Sequence, residues 1–229
     1  MTSPTPAAVL WDMDGTLVDT EPYWMTAERD LVASFGGSWT AEDGLTLVGA
    51  GLWHSASILR GRGVDLDEQE IIDHLTERVL EQARGSIPWR PGARELLLEL
   101  REAGIPTALV TMSMRPLAEH IANDFDHPVF ATIVSGSDVE HAKPHPQPYL
   151  QAAAILGVDP RDCVAIEDSE PGLASATASG AVVIGVPAHV DLAPSPSYTL
   201  WPTLAGRTVA DLGEAFAAHP STAAEGANR

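Results

Sequence analysis

Short apolar runs alternate with segments of helical periodicity along the second half of the chain. Four runs that predict strands lie at 107–111, 131–135, 163–166 and 181–186. The segments before and between them predict helices at about 93–103, 115–124, 146–156 and 171–179. One further apolar run, 7–11, predicts the first strand. Because strands that alternate with helices form βαβ units, the pattern predicts an α/β protein with a parallel sheet covered on both faces.

The long stretch that follows the first apolar run contains no strand pattern. Thr20 is suited to cap a helix with Pro22 in its first turn, and apolar residues within 66–84 recur at helical spacing. Such a stretch predicts an inserted helical cap over one edge of the sheet. The predicted division is a discontinuous core domain at 1–19 and 87–216, an α-helical cap at 20–86, and a disordered tail at 217–229.

The charge of the chain disfavours some classes of partner. Lys and Arg total 13 against 32 Asp and Glu, so the formal net charge is −19 and the chain repels phosphate backbones. We therefore expect no nucleic-acid partner and, since no long apolar run is present, no membrane partner. The single cysteine, Cys163, excludes an internal disulfide and is compatible with a reducing compartment. With no signal-peptide pattern, these features predict a cytoplasmic protein, with a monomer as the default state.

Polar side chains follow the predicted strands at the points where the strands end. They are Asp12, Asp14, Thr111, Ser113, Glu167 and Asp168, with Lys143 in the loop before the helix at 146. Because ligands bind open parallel sheets at the carboxyl ends of the strands, we expect these groups to share one crevice. Lys143 is the only lysine in the chain, which fits either a position that requires an ammonium or chance survival at the surface.

Carboxylates, a hydroxyl and one ammonium are the groups that Mg²⁺-dependent phosphoryl transfer to a carboxylate requires. Mg²⁺ binds one or two carboxylates together with phosphate oxygens. A phosphate trianion approaches several carboxylates only beside cations, and Mg²⁺ with Lys143 would supply that charge. A plainer interpretation also exists, in which Asp12 and Asp14 form a turn and Asp168 with Ser169 caps a helix.

The order of these motifs resembles that of the haloacid dehalogenase superfamily. The run DMDGTLVDT at 12–20 is similar to its first motif, Thr111 to the second, Lys143-Pro144 to the third and Glu167-Asp168 to the fourth. The resemblance covers 7–187, and the helical insertion is similar to the cap of the branch that includes phosphoglycolate phosphatases, sugar-phosphate phosphatases and β-phosphoglucomutases. It implies a Rossmann-like parallel sheet core with an inserted α-helical cap. It also implies Mg²⁺-dependent hydrolysis of a small phosphorylated metabolite through an aspartyl-phosphate.

The resemblance implies catalytic roles for four residues and a phosphate-binding role for a fifth. Asp12 would be the nucleophile that attacks phosphorus, and Asp14 the general acid and then the base for the hydrolytic water. Thr111 and Lys143 would hold phosphoryl oxygens, and backbone N–H groups near Ser113 would complete the phosphate cradle.

The same resemblance implies the metal ligands. Asp12 and Asp168 would bind Mg²⁺ through their carboxylates, and Asp14 through its backbone carbonyl. Glu167 would be either a ligand through water or a neighbour that orients the others.

A β-phosphoglucomutase-type phosphotransferase is the first alternative. That branch carries a His where this chain has Trp24, and a Gly-x-Ser-Arg stretch in the cap where this chain has Gly49-Ala50-Gly51-Leu52. Without the Arg, the cap would hold a bisphosphate poorly, so these departures favour hydrolysis. We expect the loop around Gly51 and His54, together with Trp24, to determine which small metabolite is accepted.

Three further classes are less well supported. A phosphoacceptor receiver domain is much shorter and lacks a cap. A catalytically silent binding protein of the superfamily often lacks a carboxylate of the first motif, whereas Asp12 and Asp14 are both present here. Dehalogenation needs neither Asp14 nor the acidic fourth motif. The sequence therefore favours phosphatase chemistry.

Overall fold

A computed structural model describes residues 5–219 and shows an α/β fold with a six-stranded parallel sheet. The strands are β1 Ala8–Trp11, β2 Thr107–Val110, β3 Thr132–Val134, β4 Cys163–Glu167, β5 Val182–Gly185 and β6 Thr199–Leu200. Their order across the sheet is β3-β2-β1-β4-β5-β6, and every neighbouring pair is parallel. The five predicted strands and their parallel arrangement are confirmed. The short β6 was not predicted, because two residues carry no periodicity.

Helices connect the strands, and four of them form an insertion after β1. The helices are α1 Glu21–Ser34, α2 Ala41–Leu45, α3 Leu52–Gly61, α4 Glu68–Gly85, α5 Ala93–Glu102, α6 Arg115–Ala122, α7 Gln147–Leu156, α8 Glu170–Ser179 and α9 Val209–Ala217. The predicted helical insertion between the first two strands is confirmed by α1–α4. Most of the predicted tail, 220–229, lies outside the described residues. Within 5–219, no helix combines the length and the apolar character needed to cross a membrane.

The central strand β1 explains why both faces of the sheet are covered. All four of its residues are fully buried. Val9 and Trp11 belong to one apolar cluster, which also contains residues of the inserted helices, while Ala8 and Leu10 belong to a second cluster. Successive side chains of a strand point to opposite faces, so an apolar run of this kind requires packing on both sides.

The position of β1 also brings the site residues together. The strand pairs with β2 on one side and with β4 on the other, and its last residue, Trp11, is in register with Ile166. The residues that directly follow β1, β2 and β4 are Asp12, Thr111 and Asp168, so all three lie at the carboxyl ends of neighbouring strands. The insertion begins there too, so its helices lie close to the crevice where ligands bind in such sheets.

Candidate active site

Lys143 lies at the centre of a buried cluster of ion pairs. Its ammonium donates hydrogen bonds to Asp12 Oδ1 at 2.7 Å, to Glu167 Oε1 at 2.6 Å and to the Val110 carbonyl oxygen at 2.8 Å. The side chain is 6% exposed. An ammonium has three N–H donors in diverging directions, and each of them is used here. A planar guanidinium does not match this arrangement, which accounts for a lysine at this position.

Three buried carboxylates meet at this lysine. They belong to Asp12, Glu167 and Asp168, and one oxygen of each lies within 4.8 Å of the others. Burial, followed by the charge of Glu167, raises the pKa of Asp12 from 3.8 to about 7. Burial and the charge of Asp12 raise the pKa of Asp168 well above its usual value. Burial opposes the charged form of Lys143, yet the charges of Asp12 and Glu167 raise its pKa overall. One ammonium therefore does not offset three carboxylates.

The acidic cluster fits a divalent cation. Asp12 Oδ2 is buried and has no hydrogen-bond partner among the described residues, while Asp12 Oδ1 is held by Lys143. Buried polar atoms without a partner are rare in folded proteins. An unpartnered carboxylate oxygen within an excess of negative charge is the environment that hard divalent cations occupy.

Glu167 is held by several partners of its own. Besides Lys143, the Tyr149 hydroxyl donates to Oε1 at 2.6 Å and the Ser169 hydroxyl donates to Oε2 at 3.3 Å. Gly172 makes room for this carboxylate, because a Cβ there would lie 1.9 Å from Glu167 Oε2. Glu167 is therefore held in a fixed position by Lys143, Tyr149 and Ser169.

Asp14 accepts hydrogen bonds from four side chains. The hydroxyls of Thr111 and Ser113 donate to Oδ2 at 3.2 and 2.7 Å. The Thr20 hydroxyl and the Trp24 indole N–H donate to Oδ1 at 2.5 and 3.1 Å. Thr20 does stand at the N-cap position of α1, but its side chain bonds to Asp14 and not to the helix backbone. Asp14 is therefore fixed between the sheet and the inserted helices.

Gly15 lets the loop after β1 pass close to Asp168. Its φ is 85°, and a Cβ at this position would lie 2.0 Å from Asp168 Oδ2. The next residue, Thr16, donates a hydrogen bond from its hydroxyl to Asp168 Oδ1 at 3.2 Å. The turn that glycine permits therefore places the Asp168 carboxylate against the loop that carries Asp12.

All of these residues lie inside the span that a protein-family comparison identifies. The family model of the haloacid dehalogenase-like hydrolases matches residues 6–180. The chain belongs to this family. The predicted membership of the haloacid dehalogenase superfamily is thereby confirmed, and the inserted helices α1–α4 correspond to the helical cap expected for this branch.

Relatives within the haloacid dehalogenase-like family include named phosphatases. Hexitol phosphatase B of Escherichia coli is 34% identical over 189 residues, which are 79% of this chain and 83% of that protein. Fructose-1-phosphate phosphatase YqaB of Escherichia coli is 29% identical over 182 residues, 79% of this chain and 96% of that protein. The crystal structure of a CbbY mutant from Rhodobacter sphaeroides in complex with xylulose-1,5-bisphosphate matches with a TM-score of 0.81 and 31% identity. That match covers 90% of this chain and 99% of that one.

A cavity lies between the acidic cluster and the inserted helices. Trp24 and Gly51 line it, but His54 does not. His54 is exposed on α3, and its neighbour Ser55 lines the cavity in its place. Consecutive residues of a helix point about 100° apart, so only one of the two faces the site. The expectation for His54 is therefore corrected in favour of Ser55.

Four more residues at the site were not singled out from the sequence. Glu21 and Glu28 of α1 line the cavity, and so does His189 from the loop after β5. Tyr149 of α7 donates a hydrogen bond to Glu167 of the acidic cluster. The seven-residue spacing of the two glutamates, which can be read from the sequence, places them on one helix face. Glutamates on a helix usually face solvent, so this spacing alone did not indicate a site.

Proposed function

We propose that this haloacid dehalogenase-like hydrolase is a Mg²⁺-dependent phosphatase of a small phosphorylated metabolite, with sugar phosphates as the foremost class. The observation that carries the proposal is the carboxylate of Asp12. One of its oxygens is held by Lys143, and the other is buried without a donor among the described residues. The proposal is supported by the names of the two Escherichia coli relatives, both phosphatases of phosphorylated sugars or hexitols.

The acidic cluster would hold the magnesium ion. Asp12 and Asp168 would bind it through their carboxylates, and Asp14 through its backbone carbonyl. Glu167 would orient Lys143, because its oxygens already accept hydrogen bonds from Lys143, Tyr149 and Ser169. When bound, Mg²⁺ supplies positive charge that offsets the repulsion between the substrate phosphate and the carboxylates.

The proposed reaction has two steps. In the first, a carboxylate oxygen of Asp12 forms a bond to phosphorus while the ester P–O bond breaks, and Asp14 donates a proton to the leaving oxygen. In the second, Asp14 takes a proton from water as that water attacks phosphorus, which releases inorganic phosphate and restores the Asp12 carboxylate. The Trp24 indole at 3.1 Å would keep Asp14 in place for both transfers.

The phosphoryl group would be held by groups that already converge on the cluster. Lys143 would contact a phosphoryl oxygen beside Asp12. The hydroxyls of Thr111 and Ser113, which donate to Asp14, would turn towards the other phosphoryl oxygens.

We further propose the setting in which the enzyme works. Its single cysteine is compatible with the cytoplasm, and its net charge of −19 favours small metabolites over nucleic acids as substrates, with a monomer as the default state. The proposed cap is 20–86, which contains α1–α4 and faces the site with Trp24 and Gly51.

Phosphate release tests the proposal. Wild type and Asp12→Asn would be assayed on hexitol phosphates, fructose 1-phosphate and phosphoglycolate, with Mg²⁺ and with EDTA. We expect release that needs both Mg²⁺ and Asp12. Turnover of β-glucose 1-phosphate to glucose 6-phosphate at rates that match hydrolysis would support the mutase instead, and release that survives in EDTA or in Asp12→Asn would contradict the mechanism.

A further inference from the structure

A second polar wall faces the acidic cluster across the cavity. It consists of Glu21 and Glu28 on α1 and Ser55 on α3, all of which line the cavity. Glu28 and Ser55 are each 4% exposed, so almost all of each residue is shielded from bulk water. Polar side chains at this depth need partners, because burial removes their hydrogen bonds to water.

Within the described part of the chain, only one oxygen of this wall accepts a hydrogen bond. The Trp39 indole N–H donates to Glu28 Oε2 at 3.3 Å, which leaves Glu28 Oε1 without a donor. Neither the Ser55 hydroxyl nor the Glu21 carboxylate forms a hydrogen bond there. A hydroxyl and carboxylate oxygens that line a cavity with free hydrogen-bonding capacity fit a ligand that brings its own donors.

The wall is also free of positive charge in the described residues. The basic side chains that line the cavity are Lys143 and His189, and both belong to the sheet side of the cavity. Lys143 already donates to three acceptors. Burial raises the pKa of Glu21 to about 7, with a contribution from the charge of Glu28, and burial also raises the pKa of Glu28 to about 7. His189 lowers the pKa of Glu21 only in part, and no cation acts on Glu28 among the described residues.

We propose that Glu21, Glu28 and Ser55 bind the hydroxyl groups of a neutral polyol monophosphate, and that the two glutamates reject substrates with a second anionic group. This rests on the proposed function, because the phosphate to be hydrolysed is placed at Asp12. Sugar hydroxyls can donate to a carboxylate oxygen and can also accept from a serine hydroxyl. A second phosphate would face both glutamates in a shielded cavity, where like charges repel more strongly than in water.

The CbbY structure that shares this fold carries xylulose-1,5-bisphosphate. A ligand of that kind has an anionic group at each end. With one phosphate at Asp12, the other would lie on the side of the inserted helices, where this chain presents Glu21 and Glu28. The two proteins share the fold, and in this chain we expect the charge of Glu21 and Glu28 to disfavour such a second anionic group.

The test uses two substrates that differ only by a second phosphate, fructose 1-phosphate and fructose 1,6-bisphosphate. We expect the wild type to prefer the monophosphate by at least roughly a hundredfold in kcat/KM for phosphate release. Glu21→Gln and Glu28→Gln keep the size of the side chain and remove one charge, so each should lower that preference by about tenfold. Glu42→Gln, at an exposed position of α2, is the matched control and should keep the wild-type preference.

Ser55→Ala separates hydroxyl binding from charge. It should lower kcat/KM for fructose 1-phosphate by about tenfold and leave the preference between the two substrates near the wild-type value, since no charge changes. Thermal unfolding of each variant would show that it folds. A Ser55→Ala variant with wild-type kcat/KM would overturn the role of Ser55 in hydroxyl binding.

A simple aryl ester distinguishes failure of this inference from failure of the proposed function. If the wild type releases phosphate from p-nitrophenyl phosphate with Mg²⁺ but accepts the bisphosphate as well as the monophosphate, the inference is wrong and the phosphatase stands. The same holds if both glutamine variants keep the wild-type preference. If no ester releases phosphate, the proposed function fails and this inference falls with it.

Discussion

Replacement of Asp12 by Asn should stabilise the metal-free protein while it abolishes turnover. Burial and the charge of Glu167 raise the pKa of Asp12 from 3.8 to about 7, although Lys143 acts in the opposite direction. The net effect is that ionised Asp12 destabilises the folded chain. A shift of about three units corresponds to about 4 kcal/mol, at about 1.36 kcal/mol per unit. An amide of the same shape removes that charge and can still accept the hydrogen bond from Lys143.

The gain in the free energy of unfolding that we expect from Asp12→Asn increases with pH. The folded chain keeps a proton on Asp12 up to pH of about 7, whereas the unfolded chain releases it near 3.8. The destabilisation is therefore absent below 3.8, grows as the pH rises, and is complete above about 7. In EDTA, Asp12→Asn should raise the free energy of unfolding by about 4 kcal/mol at pH 8 and by about 2 kcal/mol at pH 5.

Urea denaturation at the two pH values would measure the gain. Asp126→Asn, at an exposed position, is the matched control and should change the free energy of unfolding by less than about 0.5 kcal/mol. An Asp12→Asn variant that is less stable than the wild type at pH 8, or equally affected at both pH values, would refute the account of uncompensated charge at this cluster.

Two further substitutions test how the site is positioned. Trp24→Phe removes the N–H donor that lies 3.1 Å from Asp14 Oδ1, so it should lower kcat by about tenfold with little change in KM. Steady-state kinetics would measure both constants. A change in KM alone would contradict this role of Trp24. Gly15→Ala places a Cβ 2.0 Å from Asp168 Oδ2 at a φ of 85°, so it should abolish Mg²⁺-dependent turnover. Gly36→Ala, with a φ of 77° and open space around it, should lose only about 1–2 kcal/mol of stability in chemical denaturation and keep its activity.

The arrangement of the acidic cluster was predictable because it depends on chain topology. Apolar runs locate the strands, and the carboxyl ends of parallel strands meet at one edge. Asp12, Lys143 and Asp168 are far apart in the sequence, yet their place at the ends of predicted elements was enough to group them. Helix α9 was not predicted, although Thr208 and Asp211 form a capping box before an apolar run.

The partners of the inserted helices were not predictable, because they depend on how those helices dock. The hydrogen bond from Trp24 to Asp14 depends on the position of α1 relative to the loop after β1. The choice between His54 and Ser55 depends on the rotation of α3 about its own axis. Periodicity indicates which residues share a helix face, but not which face meets the sheet edge.

The most direct test of the central claim is to trap the covalent intermediate. The wild type would be mixed with fructose 1-phosphate and Mg²⁺, quenched in acid within one turnover and reduced with borohydride, which converts an aspartyl-phosphate to homoserine. Peptide mass spectrometry should then find homoserine at position 12 and only there, and only when both substrate and Mg²⁺ are present. Phosphate release with an unmodified Asp12 peptide, or with the modification on another residue such as Asp14, would contradict the assignment of Asp12 as the nucleophile.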